Sequence, residues 1–334
     1  MKKVFVIVLC VLMLAGILSG CDTFKKSDKI KIVTTIFPEY DWVREIVGDK
    51  TDRVEITMLL DNGADLHNYQ ATASDMAKIA TCDLFIYVGG ESDEWVNDVL
   101  KTAKNDDMIV VNLLDVLGEK VKEEEVKEGM EAEHDHDHDE EDEEHDHEHH
   151  HDEEETEYDE HVWLSLKNAI DLCNHIAEKI KTLDPDNADA YTANTAAYVA
   201  KLRELDQKYE TAVAEASVKT LVFGDRFPFR YLVDDYGLDY YAAFVGCSAE
   251  SEASFSTIAF LAGKVDELGL KAILKIENSN NRIAETVKST TNSKDQSILT
   301  LNSLQSVTSR EVKNGTTYLG VMESNLTVLK EALK

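Results

Sequence analysis

Two hydrophobic patterns alternate along the first half of the chain, beginning near residue 30. Short runs rich in β-branched and aromatic residues predict strands, and polar or glycine-containing turns close them. Segments with apolar positions three or four residues apart predict helices between these strands. The predicted strands are 30–37, 54–60, 84–88 and 108–113, and the predicted helices are 40–47, 74–80 and 94–103. Strands that alternate with helices indicate a parallel sheet, so residues 30–183 are predicted to form an α/β lobe.

A long amphipathic helix and a second α/β alternation follow. Asp184 is a preferred N-cap type and Pro185 suits the first helical position, so a helix is predicted to begin there. Its apolar positions continue to about residue 216, which gives a length of about 45–50 Å at ~1.5 Å per residue and makes 184–217 a candidate link between lobes. In the second lobe, 218–334, the predicted strands are 220–223, 240–245, 272–276 and 298–301, and the predicted helices are 255–268, 281–289 and 318–333.

An acidic, histidine-rich segment at residues 119–160 interrupts the first lobe. It contains few apolar residues, so it cannot bury enough surface to offset the entropy of ordering, and we predict a disordered loop. The chain has 11 histidines, and eight of them lie in this segment: His134, His136, His138, His145, His147, His149, His150 and His151. Imidazoles among carboxylates offer weak divalent-metal sites, so we interpret the loop as a metal scavenger or sensor. The alternative is a solvated charged linker that binds nothing.

The charge balance excludes one class of partner. The chain has 34 basic and 66 acidic residues, which gives a formal net charge of −32. Nucleic acid binding needs a basic face, so we expect no nucleic acid partner. The negative field would instead steer cations toward the protein.

The N-terminus has the pattern of an export signal. Lys2 and Lys3 precede an apolar run, residues 4–17, that is short for a membrane span. The following L-S-G-C resembles the lipobox of bacterial lipoproteins, which implies a signal peptide at 1–20, a lipidated Cys21 and a tether at 21–29. A plain signal, or an anchor helix that ends in cysteine, is the alternative.

Three cysteines remain in the mature chain: Cys82, Cys173 and Cys247. Their odd number, wide spacing and lack of a C-x-x-C pair argue against a disulfide framework and a cysteine-type zinc site. We expect three small buried apolar residues. Oxidation of one pair outside the cell is the alternative.

Candidate metal ligands follow the predicted strands, where open α/β sheets bind ligands. His67 follows the second strand, and His161 stands where the acidic segment rejoins the first lobe. Carboxylates and an amide follow strands of the second lobe: Asp225, Glu250, Glu277 and Asn302. Imidazole nitrogen and carboxylate oxygen suit zinc and also manganese or iron. His175 lies within a predicted helix and is expected to be structural.

Three segments resemble the metal-specific solute-binding proteins of ABC importers. Residues 63–70, G-A-D-L-H-N-Y-Q, resemble the family segment G-x-D-P-H-x-Y-E, and residues 159–169, D-E-H-V-W-L-S-L-K-N-A, resemble D-P-H-V-W-L-D-P-K-N-A. Residues 184–194 resemble the start of the family's backbone helix, and the resemblance covers nearly all of 30–333. It implies two similar Rossmann-like α/β lobes with parallel sheets, joined by one long helix. It also implies a metal site in the inter-lobe cleft, with His67 and His161 as first-lobe ligands.

The second lobe departs from the family pattern. Zinc-uptake members carry a histidine in H-D-A-F-x-Y-L, where this chain has G-D-R-F-P-F-R-Y-L at 224–232, so Asp225 is a candidate substitute. Manganese-type members use a glutamate in N-x-E-x-E, which Glu250 resembles. They also use an aspartate in T-D-S, where this chain has Asn302.

Several groups are candidates for the fourth metal ligand. Some zinc members place a glutamate near Gln305, and an amide is a weaker ligand than a carboxylate. The predicted ligand set is His67, His161, Asp225 and Glu250, with Glu277, Asn302, Gln305 or water as alternatives.

The resemblance implies an extracytoplasmic, lipid-anchored, monomeric protein on the outer face of the bacterial cell membrane. It would capture Zn²⁺ with high affinity and deliver it to an ABC importer permease. A manganese- or iron-binding component of the same transporter class and a metal-stabilised surface adhesin are the alternatives. A metallohydrolase would need a general base beside an open metal site, and we identify none, so we expect no enzymatic activity.

Overall fold

We describe residues 29–131, 157–248 and 252–334 of a computed structural model of the chain. The first lobe contains a four-stranded parallel sheet in the order β2-β1-β3-β4. Its strands are β1 (Ile30–Thr34), β2 (Val54–Met58), β3 (Leu84–Tyr87) and β4 (Ile109–Asn112). Leu84, Phe85 and Ile86 of β3 are fully buried, as expected for a parallel sheet covered on both faces.

Five helices belong to this lobe: α1 (Phe37–Val47), α2 (Ala73–Ile79), α3 (Trp95–Leu100), α4 (Leu113–Leu117) and α5 (Leu166–Leu183). Helix α2 begins with a capping box, in which the Thr72 side chain accepts the Asp75 N–H and the Asp75 carboxylate accepts the Thr72 N–H. Helix α5 buries its Leu166, Leu172 and Ile176 side in the core of the lobe.

The second lobe repeats the same arrangement of strands. Its parallel sheet has the order β6-β5-β7-β8 and contains β5 (Thr220–Phe227), β6 (Asp239–Val245), β7 (Ala272–Lys275) and β8 (Ser297–Thr300). Its helices are α7 (Arg230–Tyr236), α8 (Phe255–Leu268), α9 (Arg282–Thr290), α10 (Ser309–Lys313) and α11 (Tyr318–Ala332), with the lobe-linking α6 (Ala188–Glu215) before them. The prediction of two similar parallel α/β lobes joined by a long helix is confirmed.

Helix α6 begins later than predicted. A 3₁₀ turn at Pro185–Asn187 precedes it, and the α-helix then extends for 28 residues, about 42 Å at ~1.5 Å per residue. The Asp184 side chain does not cap the backbone. Its carboxylate instead accepts hydrogen bonds from Asn187 (2.9 Å) and from the hydroxyl of Tyr191 (2.6 Å), which ties the turn to the helix.

Helix α11 connects the second lobe back to the first. The Tyr318 N–H donates to the Asp41 carboxylate (2.8 Å), and the Tyr318 hydroxyl donates to the Trp163 carbonyl (2.6 Å). Trp163 in turn donates its indole N–H to the Ser303 carbonyl of the second lobe (2.8 Å). A buried core therefore continues from one lobe into the other, and α6 is not their sole link.

The structure describes both ends of the predicted disordered loop at 119–160, namely residues 119–131 and 157–160. A 3₁₀ turn at Gly118–Lys120 begins the first part, and Glu123 forms a β-bridge with Tyr158 of the second. The Glu131 N–H donates to the carbonyl of Ala243 (2.9 Å), so this edge packs on the second lobe. Residues 132–156, with all eight of the segment's histidines, lie outside the described residues.

The sequence pattern missed part of one strand and three short helices. Strand β5 continues through Gly224 and Asp225, residues typical of a turn, because a register shift between Phe223 and Arg226 accommodates them. Helices α4, α7 and α10 are only five to seven residues long, too short for a clear helical period. Among the described helices, none combines the length and apolar character that a membrane-spanning segment requires.

Two buried tyrosines of α6 differ in whether their hydroxyl group is hydrogen-bonded, so their variants can show how much that bond stabilises the core between the lobes. The Tyr209 hydroxyl donates to the carbonyl of Met322 in α11 (2.6 Å), whereas the buried Tyr198 hydroxyl has no hydrogen-bond partner among the described residues. We expect Tyr209→Phe to lower the free energy of unfolding by about 1 kcal/mol. Tyr198→Phe, the matched control, should leave it unchanged or raise it. Urea denaturation measures both, and equal losses would contradict this assignment.

Candidate metal centre

His67 lies in a 3₁₀ turn, Leu66–Asn68, in the loop that follows β2. The Asp65 carboxylate accepts the His67 N–H (3.1 Å) and so fixes the start of this turn. The ring Nδ1 of His67 lies 2.8 Å from the hydroxyl of Ser92 and 3.5 Å from a carboxylate oxygen of Glu160. These contacts orient Nε2 of His67 toward the cleft between the lobes.

His161 is fully buried at the point where the acidic segment rejoins the first lobe. One oxygen of Asp159 accepts the His161 N–H (2.9 Å) and lies 3.0 Å from its ring Nδ1. A carboxylate on one ring nitrogen fixes the orientation of an imidazole and raises the basicity of the other nitrogen, as is common for metal-binding histidines.

The two imidazoles face each other through their remaining nitrogens. Nε2 of His67 lies 3.1 Å from Nε2 of His161. Both Nδ1 atoms are engaged by other side chains, so the two Nε2 atoms are the nitrogens that could bind one ion after a small separation of the rings. The structure thus brings together the two histidines that the sequence singled out.

Cys247 is a third member of this group, and the sequence analysis did not propose it. Its sulfur and one nitrogen from each of His67 and His161 lie within 4.8 Å of one another. It lies two residues after β6, so the rule that ligands follow strand ends applies to it, whereas the wide spacing of the cysteines favoured a buried apolar role. All three described cysteines are free: Cys82 and Cys173 are buried as expected, whereas Cys247 is only half-buried.

Gly246 allows the second lobe to approach His161. A Cβ at this position would lie 2.9 Å from Cε1 of His161 and 3.0 Å from the carbonyl oxygen of Phe227. Gly90 has a similar role behind the site, with φ near +80° and a hypothetical Cβ 2.3 Å from a carboxylate oxygen of Glu160. Backbone without side chains is therefore required on two sides of the histidine pair.

The structure does not bring Asp225 into the three-residue group. Its carboxylate accepts the N–H groups of Ile276 (3.1 Å) and Arg226 (2.9 Å), so it ties β5 to the end of β7. The preceding Gly224 faces α9, where a Cβ would lie 2.6 Å from Cα of Ala284, so this packing leaves no room for a side chain at position 224.

The other second-lobe candidates have different roles or positions. Glu277 accepts hydrogen bonds from the Ser303 N–H and hydroxyl, both 2.7 Å. Asn302 accepts the Leu304 N–H (2.8 Å) and stabilises its own turn. Glu250 lies outside the described residues.

Beside the histidines, the charged side chain of Arg226 and the neutral side chain of Gln305 both contact Asp65. The Arg226 guanidinium donates to Asp65 across the lobes (2.6 Å) and to the Ser248 carbonyl (3.2 Å). Hydrogen-bond chemistry orients the buried Gln305 amide with its nitrogen 2.7 Å from Asp65 and its oxygen 2.8 Å from Nε2 of His161. The Asp65 carboxylate is therefore shared between a cation and an amide.

The two histidines have opposite electrostatic surroundings. Burial, followed by the charge of His161, lowers the pKa of His67 to about 3. Burial also opposes a charge on His161, but the carboxylates of Asp159, Glu160 and Asp65 together raise the pKa of its imidazole above the usual value. Burial, and then the carboxylate of Glu124, raises the pKa of the Cys247 thiol. The site holds one imidazolium at most.

Buried carboxyl groups stand behind the histidines at the ends of β1 and β3. Burial raises the pKa of Glu160, and burial with the charge of Glu160 raises the pKa of Asp93 to about 7. Burial, then the charge of Asp93, raises the pKa of Glu39. The raised pKa values favour the neutral form of these carboxyl groups in the metal-free protein, and a nearby cation would favour their ionised form.

The chain is similar to known zinc-uptake and zinc-binding proteins over most of its length. A model of the family described as zinc-uptake complex component A, periplasmic, matches residues 32–332. The chain is 34% identical over 340 residues to the zinc-binding lipoprotein AdcA of Streptococcus pneumoniae, and this alignment covers 99% of the chain and 61% of the relative. It is 32% identical over 334 residues to the high-affinity zinc uptake system protein ZnuA of Bacillus subtilis, with 98% and 96% coverage.

Solved structures share the fold. The Zn(II)-bound ZnuA-like domain of Streptococcus pneumoniae AdcA superposes with a TM-score of 0.69 at 28% identity, covering 91% of this chain and 99% of that domain. The metal-dependent lipoprotein YcdH of Bacillus subtilis gives a TM-score of 0.71 at 27% identity, with 91% and 99% coverage. The chain spans 61% of the length of the Streptococcus pneumoniae AdcA and 56% of the length of a Streptococcus pyogenes AdcA.

The opposite pKa shifts predict distinct titrations of the two histidines in metal-free protein. Between pH 4 and pH 6, roughly the window below a free imidazole's pKa of about 6.5, His161 should be charged and His67 neutral. His161 then contributes stability that is present below that pKa and lost as pH rises through its higher folded value. The contribution of His67 is present above pH 6.5 and lost as pH falls toward 3.

Nuclear magnetic resonance titration of the imidazole nitrogens measures both histidines. Asp159→Asn should lower the pKa of His161, because it removes the nearest carboxylate, and His175 on the surface of α5 serves as an internal reference. A charged His67 throughout this pH window would contradict the assignment.

Proposed function

The chain belongs to the family of the periplasmic component A of zinc-uptake complexes, and from this premise we propose that it captures Zn²⁺ outside the cytoplasm and passes it to an ABC importer. The observation that carries the proposal is the pair of Nε2 atoms, 3.1 Å apart, of His67 and His161. Neutral imidazole nitrogen is a preferred zinc ligand at about 2.0–2.1 Å. A zinc ion between these nitrogens needs only a modest outward movement of the rings.

The surroundings of the pair support capture and release rather than catalysis. Asp159 and Ser92 hold the two Nδ1 atoms, so the ligands are oriented before the ion arrives. Contacts from both lobes close around the site, and separation of the lobes would open it. The relatives are binding proteins by name, and we propose the same non-enzymatic role here.

The remaining ligands of the proposed zinc site come from the second lobe. Glu250 follows Ser248 by two residues in the sequence and stays a proposed ligand. Binding by Asp225 would require its carboxylate to leave two backbone N–H groups, so we assign it a supporting role instead.

Delivery of the ion requires a partner protein and a location at the membrane, and both are part of the proposal. The partner is the permease of an ABC importer, and the chain acts as a monomer. A signal peptide at 1–20 and lipid on Cys21 would hold it on the outer face of the cell membrane, a proposal that rests on the lipobox-like sequence and on the lipoprotein relatives. A lipid tether keeps the loaded protein close to the permease.

We expect loss of tight zinc binding when both imidazoles are removed. Structural zinc sites bind the ion with about 10–16 kcal/mol over four ligands, so removing two should weaken binding by at least about 10³-fold. Isothermal titration calorimetry of His67→Ala/His161→Ala against the unaltered protein measures this. His175→Ala, outside the cleft, is the matched control and should bind normally. Unchanged affinity in the double variant would refute the proposed site.

The eight histidines of the acidic segment are proposed as auxiliary, weaker sites. Replacing His134, His136, His138, His145, His147, His149, His150 and His151 with Asn keeps the length and acidity of the segment. We expect fewer bound zinc ions per protein, with the tightest ion retained, because His67 and His161 are untouched. Equilibrium dialysis with metal analysis gives the number of ions. Loss of the tightest ion would mean that the segment supplies a primary ligand.

A further inference from the structure

We propose that Cys247 supplies a thiolate ligand to the ion held by His67 and His161. This inference rests on the proposed metal-capture function and specifies its ligand chemistry. It predicts a cleft selective for zinc and softer ions over manganese, since thiolate sulfur binds zinc strongly and manganese prefers oxygen ligands.

The first argument is distance. The candidate ligand atoms of His67, His161 and Cys247 lie within 4.8 Å of one another. In a tetrahedral zinc site with bonds of about 2.0–2.3 Å, neighbouring ligand atoms are separated by about 3.3–3.7 Å. The sulfur can reach that geometry by side-chain rotation or a small lobe movement.

The second argument is the way the backbone holds Cys247. Its N–H donates to a carboxylate oxygen of Glu124 (3.1 Å), which lies in the described part of the acidic segment. The preceding Gly246 packs directly on the ring of His161, with no room for a Cβ. The cysteine is therefore fixed between the second-lobe sheet and the first-lobe histidine.

The third argument is charge. Asp159 contacts His161 and Asp65 binds Arg226, whereas one oxygen of Glu160 accepts the Ser92 N–H and the other has no hydrogen-bond partner among the described residues. Gln305 presents a neutral amide oxygen to Nε2 of His161. A thiolate at Cys247 would add an anionic ligand from the second lobe without breaking the contacts of Asp159 and Asp65.

The other two described cysteines show what a structural cysteine looks like in this protein. Cys82 and Cys173 have no exposed surface and lie within the main hydrophobic core. Cys247 is half-buried and lines a cavity of about 270 Å³ together with His67, Ser92 and Glu124. Its surroundings are those of a binding site.

Cobalt substitution tests the thiolate directly. Co²⁺ replaces Zn²⁺ and gives a near-ultraviolet thiolate-to-metal charge-transfer band only when sulfur is bound. We expect this band in the unaltered, zinc-free protein loaded with one equivalent of Co²⁺, and its loss in Cys247→Ser and Cys247→Ala. Cys173→Ala removes a core thiol and should retain the band. A cobalt-bound protein without the band would overturn the inference.

Competition between zinc and manganese tests the selectivity. We expect Cys247→Ser to weaken zinc binding by about 10–10³-fold, the effect of one ligand in a four-ligand site, with little change for manganese. Far-ultraviolet circular dichroism checks that each variant is folded. The cobalt spectrum of the unaltered protein tests the thiolate ligand even where a variant fails to fold.

The outcomes separate the two proposals. Tight zinc binding that is lost in the double-histidine variant but unchanged in Cys247→Ser would overturn the thiolate ligand and leave zinc capture standing. Weak zinc binding by the unaltered protein would overturn both.

Discussion

Two imidazole nitrogens that face each other at 3.1 Å are the constraint on which the rest of this site depends. Two protonated rings at that distance would repel strongly, so the pair is stable with one proton or with one metal ion between them. The surroundings set this balance, because carboxylates favour charge on His161 while burial keeps His67 neutral. Under the proposed function, a divalent cation that accepts nitrogen ligands would replace the proton and bind both rings.

The repeated topology of the two sheets explains how distant segments reach this point. In both lobes, the first strand of the lobe lies between its second and third strands. The carboxyl ends of parallel strands meet at one edge of each sheet, and these edges face each other across the cleft. His67 follows β2 at one edge and Cys247 follows β6, the equivalent strand, at the other. The Arg226–Asp65 ion pair and the Trp163–Ser303 hydrogen bond then hold the edges in contact.

Close packing between β5 and α9 constrains the second lobe near the site. Strand β5 carries Gly224 where α9 comes close, and the adjoining Asp225 is used to tie β5 to the end of β7. The next residue, Arg226, binds Asp65 of the first lobe, and Cys247, after the neighbouring strand β6, lies beside the two histidines.

The sequence alone determined the periodic elements and the two-lobe organisation, and it predicted His67 and His161 as candidate ligands. Hydrophobic period and strand-end position are local properties, so a single chain reveals them. The tertiary structure alone decided which second-lobe residues approach the histidines. Asp225 and Cys247 both follow predicted strands, but in the structure Asp225 lies within β5 at a register shift. Its carboxylate accepts backbone N–H groups there, while Gly246 lets Cys247 lie beside His161. Side-chain direction at a bulge and the distance between lobes depend on contacts between residues far apart in sequence, and no local pattern encodes them.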